Sequence, residues 1–222
     1  MRSMKLISVN VGLPRDVEWQ GEIVRTSIWK QAVEGRVRVR RLNLDGDAQS
    51  DLTAHGGVWK AVYAYPSEHY PAWREELGVD LQWGAFGENL TTEGLREDQL
   101  EIGDRLRMGG AEFVVTQPRL PCFKLGIRHG RPTILKEFLV SGRSGTYLAV
   151  TGEGDVAAGD PIEFVERAGS RVTVTDLVRF YRGDQVDREV LARAVELEAL
   201  PAGWRTRIRR ELDADPSSPP TP

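Results

Sequence analysis

The chain of 222 residues is 40% hydrophobic and 28% charged, with 30 Lys+Arg against 33 Asp+Glu and a formal net charge of -3. That balance excludes a disordered chain, and it excludes a generic polyanion or membrane-surface binder, whose nonspecific affinity needs an excess of cations. Apolar runs such as Ala61 to Tyr65 fall far short of the roughly 18 residues a spanning helix requires, and Asn10, Gly12 and Pro14 interrupt the N-terminal stretch before a signal-peptide core forms, so a cytoplasmic protein is expected.

From Lys5 to about Glu166, glycine and β-branched residues are cut into short apolar stretches by turn signals, the texture of an all-β barrel or sandwich. Strands are expected at Arg36 to Leu44, Leu106 to Met108, Glu112 to Thr116, Tyr147 to Thr151 and Ile162 to Val165. Corners fall at Gly46-Asp47, Gly103-Asp104 and Gly159-Asp160, where glycine supplies positive φ and aspartate a local hydrogen bond. Two helices interrupt this half. Pro66 to Leu77 places Tyr70, Trp73 and Leu77 on one face, with Ser67 as its candidate cap, and Pro132 to Val140 places Ile134, Leu135, Phe138 and Leu139 at helical spacing.

After Arg171 the texture changes, and Thr175 to Tyr181, Asp187 to Leu197 and Ala202 to Leu212 read as three short helices. The end from Asp213, with four prolines and two serines, reads as a disordered tail. The expected division is therefore a β domain over residues 1–170, a helical module over 171–212 and a tail over 213–222. The module carries nine Lys+Arg and seven Asp+Glu between Arg171 and Leu212, too small an excess for a nucleic acid duplex. Docking of a partner, or self-association into a homodimer, suits it better, and closing the open end of the barrel is the plain structural alternative.

Cys122 is the one cysteine, which excludes an intramolecular disulfide and the cysteine-rich zinc sites. No GxGxxG, phosphate-loop or GxSxG motif is present, and His55, His69 and His129 are too scattered for the usual metal spacings. Cys122 lies in Gln117-Pro118-Arg119-Leu120-Pro121-Cys122-Phe123-Lys124-Leu125, where two prolines hold the backbone extended and the thiol sits on a loop leaving a strand. Arg119 and Lys124 place two cations near the sulfur, which favours a thiolate. The same residue also reads as a buried cysteine packed as a small hydrophobe.

In His55-Gly56-Gly57-Val58-Trp59-Lys60, backbone amides with His55 and Lys60 make a phosphate cradle, or else a structural turn beside a solvated lysine. In Gly84-Ala85-Phe86-Gly87-Glu88-Asn89, Asn89 can donate and accept at a heterocycle edge, or satisfy local backbone. Arg36, Arg38 and Arg40 alternate along a strand, so they share its solvent face and stay outside the site. His69 and His129 read as surface or helix-face residues.

These segments occur in order, together with Leu44-Asp45-Gly46-Asp47-Ala48-Gln49-Ser50-Asp51 and Lys60-Ala61-Val62-Tyr63-Ala64-Tyr65-Pro66, and together they resemble the MOSC domain, named after the molybdenum cofactor sulfurase C-terminus. The resemblance runs from about Lys5 to Glu166, and the helical end resembles the three-helix extension of the YiiM-like branch. It implies a closed, mostly antiparallel β-barrel with a few covering helices, holding a molybdenum cofactor (molybdopterin) whose metal is bound by Cys122. His55, Gly56, Gly57, Lys60 and Arg119 are the implied holders of its phosphate, Asn89 of its pterin edge, and Arg143 a further cation. The family also carries an association with pyridoxal phosphate.

The activity implied is reduction of small N-hydroxylated compounds, of hydroxylaminopurine or amidoxime type, to amines or amidines, a detoxifying reaction. The alternative is a carrier of the cofactor, or of persulfide sulfur on Cys122, without turnover. His55, Glu88 or water would supply protons. The chain shows no flavin, haem or iron–sulfur motif, so an external electron-donating reductase is the expected partner.

Overall fold

The computed structural model describes residues 4–48 and 57–214. Within them the strands are β1 (Lys5–Val11), β2 (Arg15–Trp19), β3 (Glu22–Thr26), β4 (Gln31–Ala32), β5 (Val37–Val39), β6 (Val62–Pro66), β7 (Leu90–Glu93), β8 (Arg105–Met108), β9 (Ala111–Pro118), β10 (Thr146–Gly152), β11 (Gly154–Val156) and β12 (Ile162–Glu166). The α-helices are α1 (Tyr70–Leu77), α2 (Phe123–His129), α3 (Ile134–Ser141), α4 (Val174–Arg182), α5 (Arg188–Ala194) and α6 (Ala202–Asp213). The principal sheet has eight strands in the order β12-β8-β9-β10-β6-β7-β1-β4, with β6 and β7 its parallel pair.

The expectation of a closed barrel is met only in part, because no continuous ladder joins the ends of this sheet. Where β1 approaches the start of β12, three backbone hydrogen bonds form, from Leu6 N to Asp160 O, Gly159 N to Leu6 O and Ile162 N to Met4 O. Lys5 faces Pro161 there in an isolated antiparallel bridge. The C-terminal end of β1 pairs instead with the two residues of β4.

Period-2 alternation explains why the sheet is covered on both sides. On β6, Val62 and Ala64 enter the larger apolar cluster, while Tyr63 and Tyr65 enter a second, mostly aromatic one with Tyr70, Trp73, Phe86 and Phe138. Helices α1 and α3 pack into the aromatic cluster. The C-terminal helices pack into the other, since Leu177, Leu191, Trp204 and Ile208 share a core with Phe113 and Val115 of β9.

All three glycines take the expected positive φ, 82° at Gly46, 97° at Gly103 and 91° at Gly159, but the Asp47 side chain bonds distant residues where a local hydrogen bond was expected. The aspartates each accept a backbone N–H, Asp47 from Gly12, Asp104 from Glu101 and Ala168, Asp160 from Ala157. Helix α4 begins at a capping box in which Thr173 and Asp176 exchange hydrogen bonds, and it ends at left-handed Gly183.

Several expectations need correction. Ser67 does not cap α1; it opens a 3-10 turn, and the helix proper starts at Tyr70. The strand expected over Arg36 to Leu44 is only Val37–Val39, closed by one bridge from Val39 to Leu44. Helix α2 and the β2–β3 hairpin were not foreseen; the hairpin turns on Gln20 and Gly21, both at positive φ, the requirement of a type I′ turn. Helix α6 runs on to Asp213, and the rest of the expected tail, residues 215–222, lies outside the described residues. No described helix is long and apolar enough to cross a membrane.

Candidate functional site

Strand β9 ends at Pro118, and the extended Arg119-to-Cys122 segment leads into α2, whose Leu125 is fully buried in the aromatic cluster. This anchors Cys122 at the mouth of a pocket of about 600 Å³ counting its open side. The thiol is half-buried, and Arg119, Lys60, Lys124, Lys30 and Asp47 line the same space, walled by Tyr63, Phe86 and Tyr147. Among the described lining residues four cations stand with one carboxylate, a balance that suits an anion.

Arg119 is buried, and its Nη1 has no hydrogen-bond partner among the described residues. The guanidinium lies 5.7 Å from the centroid of Tyr63 and 5.2 Å from that of Phe138, and it hydrogen-bonds Tyr147. Burial opposes its charge, but the Cys122 sulfur, Tyr63 and Tyr147 favour it and the net push is upward. Burial raises the Tyr63 and Tyr147 hydroxyls against the pull of Arg119, so both stay protonated near neutrality.

Lys30 and Asp47 form a buried ion pair on the pocket wall, with side chains 8% and 3% exposed. Desolvation lowers the Lys30 pKa, while Asp47 and Glu88 oppose that shift. Asp47 also accepts from the Gly12 amide at 2.9 Å and from Asn89 Nδ2 at 2.9 Å. Neither Lys30 nor Asp47 was among the expected site residues. Asp47 stood inside a recognisable corner motif, but nothing local marks Lys30, which the turn after β3 delivers to the pocket.

Asn89 lines the pocket, yet its amide is occupied: Oδ1 accepts from Tyr63 N at 3.2 Å, and Nδ2 donates to Asp47 and, at 3.4 Å, to Asn10 O. It holds β6 and the Asp47 corner together, the structural alternative of its two readings. Glu88 is wholly buried outside the pocket lining, where it accepts from the Tyr70 hydroxyl, Thr91 Oγ1 and the amides of Gly84 and Phe86. Burial raises its pKa against those bonds, and it closes the glycine bend instead of facing a substrate.

Arg143 does not join the pocket. Its guanidinium pairs with Glu76 at 2.6 Å and lies 4.1 Å from the Trp73 ring, lining a different cleft beside α4. Gly57 has φ 90° and caps the 3-10 turn that carries Lys60, but it does not line the pocket; His55 and Gly56 lie outside the described residues. Arg36 and Arg40 are exposed and Arg38 is half-buried; they face Asp160, Asp45 and Asp155 respectively, outside the pocket as expected. The other histidines are more tied down than expected: His69 contacts Glu97 at 2.9 Å, and His129 bonds Ala85 O at 3.0 Å. Among the described residues, no three His, Cys, Asp or Glu side chains converge as a metal site.

Comparison with known proteins agrees with this architecture. Residues 51–163 match the MOSC domain, and residues 172–214 match the YiiM-like, 3-alpha helix domain. The chain is 36% identical over 208 residues to the uncharacterized protein YflK of Bacillus subtilis, covering 94% of each. It is 33% identical over 196 residues to a protein of Gibberella moniliformis named reductase, covering 86% of this chain and 35% of that longer one. The crystal structure of YiiM from Geobacillus stearothermophilus superposes with a TM-score of 0.78 at 33% identity, covering 94% of this chain and 99% of that one. A thiol at a cation-lined pocket, the matching fold and the two domain matches in order lead to one assignment: the chain belongs to the MOSC domain family and carries the YiiM-like three-helix domain.

Proposed function

We propose that the protein binds a molybdenum cofactor through Cys122 and reduces small N-hydroxylated compounds to amines or amidines in the cytoplasm, with electrons from a separate reductase. The observation that carries this reading is the half-buried Cys122 thiol opening on the same pocket as the orphaned, buried Arg119 Nη1. A buried guanidinium atom without a partner is costly unless a ligand supplies an acceptor. The residues present therefore fit an anionic, phosphate-bearing cofactor with a soft metal. Membership in a family named for molybdenum cofactor sulfurase, and a relative named reductase, support the same direction.

In this reading Cys122 ligates the metal, and Arg119, Lys60 and Lys124 neutralise the phosphate and the other anionic groups of the cofactor. The Asp47 carboxylate keeps Lys30 in place, and Lys30 Nζ holds a proton at the pocket whose grip burial loosens. Tyr63, Phe86 and Tyr147 limit water around the thiol. The bound cofactor supplies the two-electron redox chemistry. Overall, the N–O bond breaks as two electrons and two protons enter, and the oxygen leaves as water.

The test is elemental analysis of protein purified from a host that makes the cofactor, with turnover driven by a chemical reductant. About one molybdenum per chain is expected, and Cys122→Ala should lose metal and turnover while keeping its circular dichroism spectrum. Retention of molybdenum by that variant refutes the ligand assignment. Molybdenum-replete wild type that reduces no N-hydroxylated compound but passes its cofactor to an apo-enzyme would establish a carrier instead.

A further inference from the structure

A second hollow abuts the cysteine pocket at Lys60, which lines both. Its walls come from distant parts of the chain: Trp59 beside Lys60 on one side, Tyr181 of α4 with Trp204 and Arg207 of α6 on the other. Its open space measures about 790 Å³. Trp59 is 39% exposed, an indole presented to the cleft, and aromatic faces of this kind stack planar rings.

The two walls are tied together in advance. Trp204 Nε1 donates to Gln117 Oε1 at 2.9 Å, and Gln117 Nε2 donates to the Trp59 carbonyl at 3.3 Å. Arg207 lies 4.6 Å from the Tyr181 centroid and 5.7 Å from that of Phe180, and among the described residues it has no carboxylate partner. Held by ring faces, the guanidinium keeps its edge N–H donors for an anion. Gly203, on the first turn of α6, opens on the same cleft, and a Cβ added there meets nothing within 4 Å.

We infer that this cleft binds a planar aromatic anion, its ring against Trp59 and its charged group at Arg207. Its part in catalysis rests on the reading above: the ring belongs to the compound whose N-hydroxyl group passes Lys60 into the cysteine pocket. The C-terminal helices then select substrates by supplying half of the ring site.

The probe is AMP, titrated calorimetrically into the full-length protein beside adenosine and inorganic phosphate at fixed ionic strength. AMP is expected to bind about tenfold more tightly than either, since ring stacking and a charge-assisted contact each contribute on the order of 1 kcal/mol or more. Gly203→Leu fills the cleft from the helix side. Leucine is the better helix former by roughly 1 kcal/mol, so loss of binding cannot be ascribed to unfolding, and the melting temperature checks this. The variant should weaken AMP by about tenfold, and Arg207→Gln should reduce AMP to the affinity of adenosine.

Undetectable AMP binding, or AMP binding unaltered by Gly203→Leu, overturns the inference. In molybdenum-loaded enzyme, Gly203→Leu should lower kcat/KM for N-hydroxylated AMP, relative to ringless acetamidoxime, by about tenfold and through KM. Wild type that reduces neither compound yet binds AMP refutes the reductase reading and leaves the cleft standing. Reduction of both with an unaltered ratio in the variant refutes the cleft's role and leaves the reductase reading intact.

Discussion

Lys30 and Asp47, 17 residues apart, form a buried ion pair on the wall of the cysteine pocket, and the same carboxylate takes the Asn89 amide and the Gly12 backbone. Removing one member of such a pair leaves an uncompensated charge, which costs more than the pair contributes. Asp47→Asn is expected to lower unfolding stability by about 3 kcal/mol in urea at neutral pH. Lys30→Met combined with Asp47→Asn keeps a side-chain oxygen for the Gly12 amide and removes the uncompensated charge, so it should recover part of that loss; a double variant as unstable as the single one would show that the unpaired Lys30 charge is not the cause.

His129 gives the protein an acid-side weakness. Burial, with Arg128 nearby, pushes its pKa down from 6.5 to about 4, although the bond to Ala85 O pulls the other way. Between those pH values the unfolded chain binds a proton that the folded chain does not, so the contribution is complete above pH 6.5 and lost as pH falls toward 4. The loss is at most roughly 3 kcal/mol. Urea unfolding at several pH values should show His129→Gln with a shallower decline over that window, and an unaltered slope would assign the decline to other groups.

Arg119 links the pocket to anions. Its buried Nη1 lacks a partner among the described residues, so it is the donor left for a ligand, and Arg119→Met removes that donor together with the charge. Inorganic phosphate at ten times its dissociation constant should stabilise wild type by about 1.4 kcal/mol and the variant by much less. Equal thermal shifts in both proteins would place the anion elsewhere.

Trp204 joins the helical module to the β core through its bond to Gln117 Oε1. Trp204→Phe keeps most of the ring and leaves that buried oxygen unpaired, so a loss of about 1 to 3 kcal/mol is expected in chemical denaturation. Gln117→Leu with Trp204→Phe removes both polar groups and should be less destabilised than the sum of the single variants; strict additivity would mean that the bond carries no coupling.

Much of the fold was legible because its signals are local. The positive φ of the Gly-Asp corners needs only a local glycine, and α4 shows an apolar face at helical spacing, although its capping box of Thr173 and Asp176 went unread and its start was placed at Thr175. Helix α2 was illegible because it is seven residues long with Gly126 in the middle, and it is held by packing of Leu125 and Ile127. The β2–β3 turn was missed because Gln20-Gly21 is a weaker hairpin signal than Asn-Gly.

The candidate site divides along the same line. Cys122, Arg119 and Lys124 lie within six residues of one another, so chain order alone assembles a thiol between two cations and, with the neighbouring motifs, marks the family. Which other groups face that thiol depended on where the strands carry them: Lys30 arrives from the segment between β3 and β4 and Asp47 from the corner after β5, Asn89 is taken up by backbone and by Asp47, and Arg143 turns away to Glu76. Side-chain chemistry is inherent in a residue's identity, whereas its partners are set by burial and register across the whole fold, which no short stretch of sequence encodes.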